Sequence, residues 1–348
     1  IVTATMASIS KTPSGTYAVS YRVNGKQTKR TFKDKKLALR FRDVVDMDPS
    51  IKATRVTVAD LMLAYRDKMS AKKRGARAES LRLTALARRT FASIRLDKVT
   101  HRDLQAFVDE RTTEVAPATV VREAATLSAV FAWAKSQDLI LESPTRGLVL
   151  PRPPEHRERV ASDEDIEKLL AASGWDGKSP PCNNMQTVIA AFLFSCRTGM
   201  RAGEILQIEV SWIDGCVIHL PASATKTATR RDVALGKDAL RLLALVKEAN
   251  GNDLFQMRSG LRDALFRKVR DRAGLGPVLD SHGNVIKEGL HFHDGRATFA
   301  TWAASPDPET GAPRLDVMAL SRQTGHRDLK MLMRYYRATA QEIAKRLK

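Results

Sequence analysis

The sequence predicts a multidomain, mainly α-helical protein: a small N-terminal β-sheet module, a helical bundle, and a larger α-rich domain with a small β insertion. Three observations carry this. The chain has 348 residues, which at roughly 100–200 residues per domain is two or three cores. Its hydrophobic period changes from strand-like to helical early and stays helical afterwards. A proline cluster at Pro151, Pro153 and Pro154 separates the bundle from the last domain. The boundaries expected are 1–55 for the β module, 56–150 for the bundle, 151–160 for a linker and 161–348 for the last domain.

In the first module, Gly15 to Val23 alternates in polarity, Asn24-Gly25 supplies a hairpin turn, and Lys26 to Phe32 is the return strand. From Asp34 to Met47 the apolar positions Leu37, Leu39, Phe41, Val44 and Val45 take helical spacing. A polar stretch, Asp48 to Arg55, ends the module. Thr57 then caps a helix that continues through Leu61, Leu63, Ala64 and Tyr65. Further helices are expected over Ala78–Ser93, Thr100–Thr112 and Ala118–Ser136. After the linker, Ser162 opens a helix with Asp165 at the capping-box position. Trp212 to Leu220 and Arg231 to Leu235 read as strands among long helices.

Composition narrows the function. A formal net charge of +19 and a pI near 10.1, spread over all three segments, suit a surface that follows a polyanion. On the hairpin Arg22, Lys26, Lys29, Arg30 and Lys33 cluster, and a β-ribbon of this kind can lie in a DNA groove. Lys72, Lys73, Arg74 and Arg77 form a second basic run in the first loop of the bundle. The three cysteines, Cys182, Cys196 and Cys216, form neither a disulfide framework nor a metal knuckle. No apolar run approaches a membrane span, and the N-terminus has no signal-peptide core, so a cytoplasmic protein acting on DNA is expected. There is no nucleotide-binding P-loop, no GxSxG, no HExxH and no GxGxxG. The acidic cluster Asp163-Glu164-Asp165 sits at a helix start, where capping explains it.

The last 150 or so residues carry the chemistry. Thr198-Gly199-Met200-Arg201-Ala202-Gly203-Glu204 places Arg201 and Glu204 three apart, where the carboxylate can orient the guanidinium. His293 and Arg296, also three apart, can converge on one anion. Gly325-His326 comes next in the chain, and nine residues after His326 stands Tyr335, beside Tyr336 and between arginines. Each piece alone has a structural explanation; the ordered set is hard to produce by chance.

As a set these motifs resemble those of the tyrosine recombinases, specifically phage- and genomic-island-type integrases. The resemblance implies Arg201 as first arginine with Glu204 in support, Lys226 of Thr225-Lys226-Thr227 as the hairpin lysine, His293 and Arg296 as the HxxR box, His326 as second histidine and Tyr335 as nucleophile. It also implies an arm-binding module, a core-binding bundle and a catalytic domain, no metal or nucleotide cofactor, a homotetramer on double-stranded DNA, and accessory DNA-bending or directionality factors. Gly295 and Ala297 depart from the residues that usually flank the arginine, which bears on how that helix packs.

The chemistry fits the assignment. Two arginines can hold the non-bridging oxygens of a phosphodiester under attack, and a phosphotyrosine bond conserves the energy needed for rejoining. The expected activity is site-specific DNA cleavage and rejoining through a 3′-phosphotyrosine, integrating or excising a mobile element. A type IB topoisomerase would relax supercoiled DNA lacking any special site; a non-catalytic regulator on the same scaffold would form no covalent adduct.

Overall fold

The computed structural model describes residues 7–23, 26–35, 38–39, 41–42, 56–137, 139–152, 159–225, 228–282 and 285–336, with backbone alone at 22, 23 and 26. The chain divides into two compact units, Ile1–His156 and Arg157–Lys348.

The first unit opens with an antiparallel sheet of order β1-β2-β3: β1 (Ser8–Lys11), β2 (Tyr17–Val23) and β3 (Lys26–Phe32). The register pairs Tyr17 with Phe32, Val19 with Arg30 and Tyr21 with Thr28. Period-two alternation therefore puts Val19 and Tyr21 on the face that packs against Ala38 and Phe41. Helical backbone is present at Lys35, Ala38, Leu39, Phe41 and Arg42; the rest of the helix expected to Met47 and the Asn24-Gly25 turn lie outside the described residues. Strand β1 had no sequence expectation, because Ser8 to Lys11 carries one large apolar residue and no turn signal.

The bundle comprises α1 (Val58–Lys68), α2 (Ala76–Leu86), α3 (His101–Glu114) and α4 (Pro117–Ser136). Thr57 and Thr100 each close a capping box, with Asp60 and Asp103. Leu61, Met62, Leu83, Leu104, Leu127 and Phe131 fill the core, each worth about 1.5–3 kcal/mol of transfer free energy. Helix α2 stops at Leu86, short of the expected Ser93, and a 3-10 turn takes Thr90–Ser93. On a continuous α-helix Phe91 would stand about 140° round from Leu86; the break lets Phe91, Ala92 and Leu86 all bury.

In the second unit, α5 (Asp163–Ser173) starts on the Ser162/Asp165 capping box. Helix α6 (Asn184–Thr198) is buried nearly all round, from Gln186 to Thr198, as its unbroken apolar run demands. Around it lie the short α7 (Ala202–Ile205), α8 (Lys237–Asn250), α9 (Ser259–Arg272), α10 (Asp294–Ala304), α11 (Val317–Thr324) and α12 (Lys330–Met333). A second antiparallel sheet has order β4-β5-β6, from β4 (Ile213–Asp214), β5 (Val217–Leu220) and β6 (Arg231–Ala234). A third, of β7 (Val278–Leu279) and β8 (Val285–Lys287), was not expected: its strands are exposed and too short to set a period. No described helix is long and apolar enough to cross a membrane.

The departure at Gly295 has a packing reason. A Cβ there would lie 3.1 Å from both Cys196 Sγ and Phe192 Cε2 and 3.2 Å from the Phe192 carbonyl. The missing side chain lets α10 press directly onto α6, which sets the position of Arg296.

Candidate active site

Four turns of the second unit carry the site. Gly199 ends α6 with φ +68° and swings the chain outward, so that Arg201 becomes the N-cap of α7. His293 is the N-cap of α10, and Arg296 lies in its first turn. Gly325, φ +70°, ends α11 and presents His326. Helix α12 then delivers Tyr335 and Tyr336 just beyond its end. Glycine supplies the left-handed backbone at both helix ends without a Cβ penalty.

Glu204, 2% exposed, is the electrostatic hub. It accepts from the Arg201 backbone N–H at 2.8 Å and from Arg201 Nη1 at 3.0 Å. Arg231, on β6, forks the same carboxylate at 3.0 and 2.9 Å. Burial pushes the Glu204 carboxyl up, but the Arg231 fork and the neighbouring Arg201 outweigh it and hold the carboxyl below its usual range. Arg201 Nη2 donates to the Gly325 carbonyl at 3.1 Å, tying the first arginine to the His326 turn.

Arg296, 3% exposed, donates through Nη1 to the Gly199 carbonyl at 2.6 Å and through Nη2 to His326 Nε2 at 3.1 Å. Burial, then the charges of Arg201 and Arg231, push its guanidinium down to about 9. The Thr324 hydroxyl gives its proton to the Leu320 carbonyl at 2.6 Å and meets His326 Nδ1 at 2.7 Å. Nδ1 is therefore the donor in that contact, and His326 is the neutral Nδ1–H tautomer with Nε2 accepting from Arg296. Burial and then Arg296 and Arg201 push the His326 imidazole down to about 3. The same forces, burial first and Arg296 second, lower His293. A cluster this short of negative charge gains from an incoming anion.

Arg334 Nη2 donates to the Tyr335 hydroxyl at 3.0 Å, and its guanidinium lies 5.0 Å from the ring centroid. Tyr336 turns the other way, giving its hydroxyl proton to the Leu315 carbonyl at 2.7 Å, and burial pushes that phenol up to about 12. Beside the cluster, an open depression of about 390 Å³ is lined by Thr229, Arg230, Arg322 and Arg327 together with Arg231 and His326.

The structure thus brings Arg201, Glu204, His293, Arg296, His326 and Tyr335 into one neighbourhood, linked by direct hydrogen bonds or by the charges that shift their protonation. Lys226 lies outside the described residues. Among the expected DNA contacts, Lys29, Lys72, Arg74 and Arg77 are exposed. Arg30 instead lies over the Phe32 and Phe41 rings at 5.4 and 4.9 Å. Lys73 is engaged by the Tyr65 hydroxyl and Glu79, both at 2.8 Å. The side chains of Arg22 and Lys26 lie outside the described residues. Arg231 and Gln323 escaped the sequence reading. The available signal was an arginine at the start of a strand whose next inward residue is Val233, which is weak without the fold. Gln323 pins β6 to α6 and α11, donating to the carbonyls of Thr198 and Ala234 at 3.0 and 2.9 Å. Among the described residues no group of three or more His, Cys, Asp or Glu is placed to hold a metal ion.

The Phage integrase family model matches residues 159–342. A Haemophilus influenzae protein named an integrase/recombinase is 34% identical over 290 residues, 81% of this chain and 73% of that one. Lambda integrase, solved as a dimer bound to a COC′ core site, superposes with a TM-score of 0.63 at 18% identity, covering 94% of each chain. Its tetramer bound to a Holliday junction gives 0.61 at 19%, covering 92% of this chain and 95% of that one.

Proposed function

The chain belongs to the phage integrase family, and from that premise we propose the roles of its residues in breaking and rejoining DNA at specific sites. The observation that carries the reading is the cationic cluster of Arg201 and Arg296, with two imidazoles kept neutral, and with Tyr335 near enough for its charge to act on Arg296.

Arg201 and Arg296 bind the non-bridging oxygens of the scissile phosphodiester through charge-assisted hydrogen bonds, which strengthen as negative charge builds on the phosphorane. The Tyr335 oxygen attacks phosphorus and loses its proton; the bond from phosphorus to the 5′-oxygen breaks, and the 5′-hydroxyl leaves with a proton. The product is a 3′-phosphotyrosine. Lys226 is assigned to protonate the leaving oxygen, and the neutral imidazole of His293 to accept the tyrosine proton, while His326 holds Arg296 in place. Rejoining is the same displacement in reverse by a 5′-hydroxyl, so the energy of the original bond is retained. The protein acts as a homotetramer on double-stranded DNA, the arrangement in which lambda integrase is seen on a Holliday junction. The exposed bases Lys72, Arg74 and Arg77, and the β module with Arg22, Lys26 and Lys29, are assigned to DNA contacts; accessory DNA-bending factors assist assembly.

The test uses a random-sequence library of nicked duplexes, incubated with the full chain in excess EDTA, denatured and sequenced from the covalently attached fraction. Adducts converging on one sequence motif are expected. Adducts without sequence preference, together with relaxation of arbitrary supercoiled plasmids, would indicate a topoisomerase; no adduct at all would refute catalysis.

A further inference from the structure

Arg231 is the side chain on which three parts of the site converge. It lies on β6 with its side chain 9% exposed. Its two terminal amino groups fork Glu204 at 3.0 and 2.9 Å, and Nε donates to the Gln323 carbonyl at 3.2 Å. A Cβ added to Gly325 would stand 2.6 Å from Arg231 Nη1 and 3.0 Å from its Cδ. The turn that presents His326 therefore rests directly on this guanidinium.

We propose that Arg231 is a positioning residue for DNA cleavage: through Glu204 it sets the orientation of Arg201, and through the Gly325 turn it sets the placement of His326, without touching the phosphate itself. The proposal rests on the recombinase reading above.

The argument is one of charge and geometry. Glu204 is a buried carboxylate and must be compensated. With Arg231 occupying both of its oxygens, Glu204 takes only Nη1 and the backbone N–H of Arg201. Arg201 Nη2 is left to the Gly325 carbonyl, and the guanidinium keeps its charge for an arriving phosphate. If Arg231 were removed, the full carboxylate charge would fall to Arg201, drawing the fork inward and away from the phosphate. The bare Gly325 turn would lose its floor at the same time.

The charged groups facing Glu204 are Arg201 from the start of α7, Arg231 from β6 and Arg296 from α10, with neutral His326 on the adjoining turn. Among these the Arg231 fork is the largest force opposing the burial of Glu204. Taking it away lets burial dominate, so the carboxyl should take up a proton at a higher pH and release Arg201.

The experiment uses the full chain, the best duplex recovered with wild type from the nicked random-sequence library, and the variants Arg231→Lys, Arg231→Met and Arg231→Met with Glu204→Gln. Single-turnover adduct formation at saturating DNA, DNA affinity, and the pH dependence of cleavage are measured for each. Arg231→Met should cleave on the order of 10²-fold more slowly, the scale of a misplaced catalytic group, with affinity within about twofold of wild type, since phosphate charge neutralisation is largely kept. Its rate should recover toward acid pH, where Glu204 takes up a proton and releases Arg201, a dependence that wild type lacks. Arg231→Lys, which keeps the charge without the fork, should retain part of the rate, and it carries the test if the Met variant does not fold. The double variant, with no unbalanced carboxylate, should cleave faster than Arg231→Met alone. Wild-type rates in both single variants would overturn the proposal. So would equal losses in all three variants with an unchanged pH profile, which would mean simple loss of the scaffold. If wild type itself recovers no duplex, it is the recombinase reading that fails.

Discussion

Gly199→Ala tests the turn on which the arginine cluster is built. At φ +68° an L side chain costs about 1–2 kcal/mol. The added Cβ would stand 2.5 Å from Phe299 Cδ1 and 3.0 Å from Thr324 Cγ2. Phe299 is 3% and Thr324 0% exposed, so neither can swing aside without moving α10 or α11. Overpacking of a filled core adds about 1–3 kcal/mol. The sum, about 2–5 kcal/mol, is a large share of the roughly 5–15 kcal/mol that holds a domain together. For a unit of this size each kcal/mol lowers Tm by about 2–4 °C, so differential scanning calorimetry should show the second unit melting about 4–20 °C early. A functional loss should accompany it well below Tm. Gly199 supplies the carbonyl that holds Arg296 Nη1 at 2.6 Å, and misplacing that guanidinium costs on the order of 10²-fold in cleavage. Gly203→Ala is the control. Nothing lies within 4 Å of its would-be Cβ, and it sits inside α7, where alanine is favoured by up to about 1 kcal/mol. A Gly199→Ala protein that melts with wild type, or no earlier than the Gly203 control, would refute the reasoning.

The other predictions concern the reacting groups. Tyr335→Phe should bind DNA normally and form no adduct. Tyr336→Phe should still form it, at a stability cost of about 1 kcal/mol for the lost bond to Leu315; peptide mapping of DNA-linked protein decides between them. Arg201→Lys keeps the charge but loses the planar fork, so gel-shift affinity should survive while single-turnover cleavage falls on the order of 10²–10³-fold. Near-normal cleavage would reduce Arg201 to a structural partner of Glu204. The His326 imidazole, near 6.5 when unfolded, is held down to about 3 in the fold. The unfolded chain therefore takes up a proton that the folded one refuses, and this stability is present above about pH 6.5 and lost as pH falls toward 3. The shift corresponds to at most ~5 kcal/mol, which solvent screening of a half-buried ring reduces to on the order of 2 kcal/mol. Urea midpoints should fall between pH 7 and 5, less so in His326→Gln; equal slopes in both proteins would exclude the assignment.

Much of the local structure was legible because its causes are local. The caps at Thr57, Thr100 and Ser162 satisfy N–H groups only three residues away. The alternation from Tyr17 to Val23 and from Lys26 to Phe32 states its own pleat. Spacing within a single turn likewise paired Arg201 with Glu204, while Tyr335 and Tyr336, past the end of α12, turn to different partners. Where a local pattern competed with burial, burial won: Phe91 needed the core more than α2 needed another turn.

By itself, then, the sequence determined the kind of elements, their order, and, through the family its motifs resemble, the candidate residues of the site, all of which rest on patterns a few residues long. Only the tertiary structure decided how those residues are held. The Arg231 fork on Glu204 spans 27 residues of chain, Gln323 reaches Thr198 across 125, and Arg296 reaches the Gly199 carbonyl across 97. No period or cap encodes such contacts. They exist because α6, α10, α11 and β6 pack against one another, and because glycines at 199, 295 and 325 let the backbones approach closely enough for buried charges to find each other.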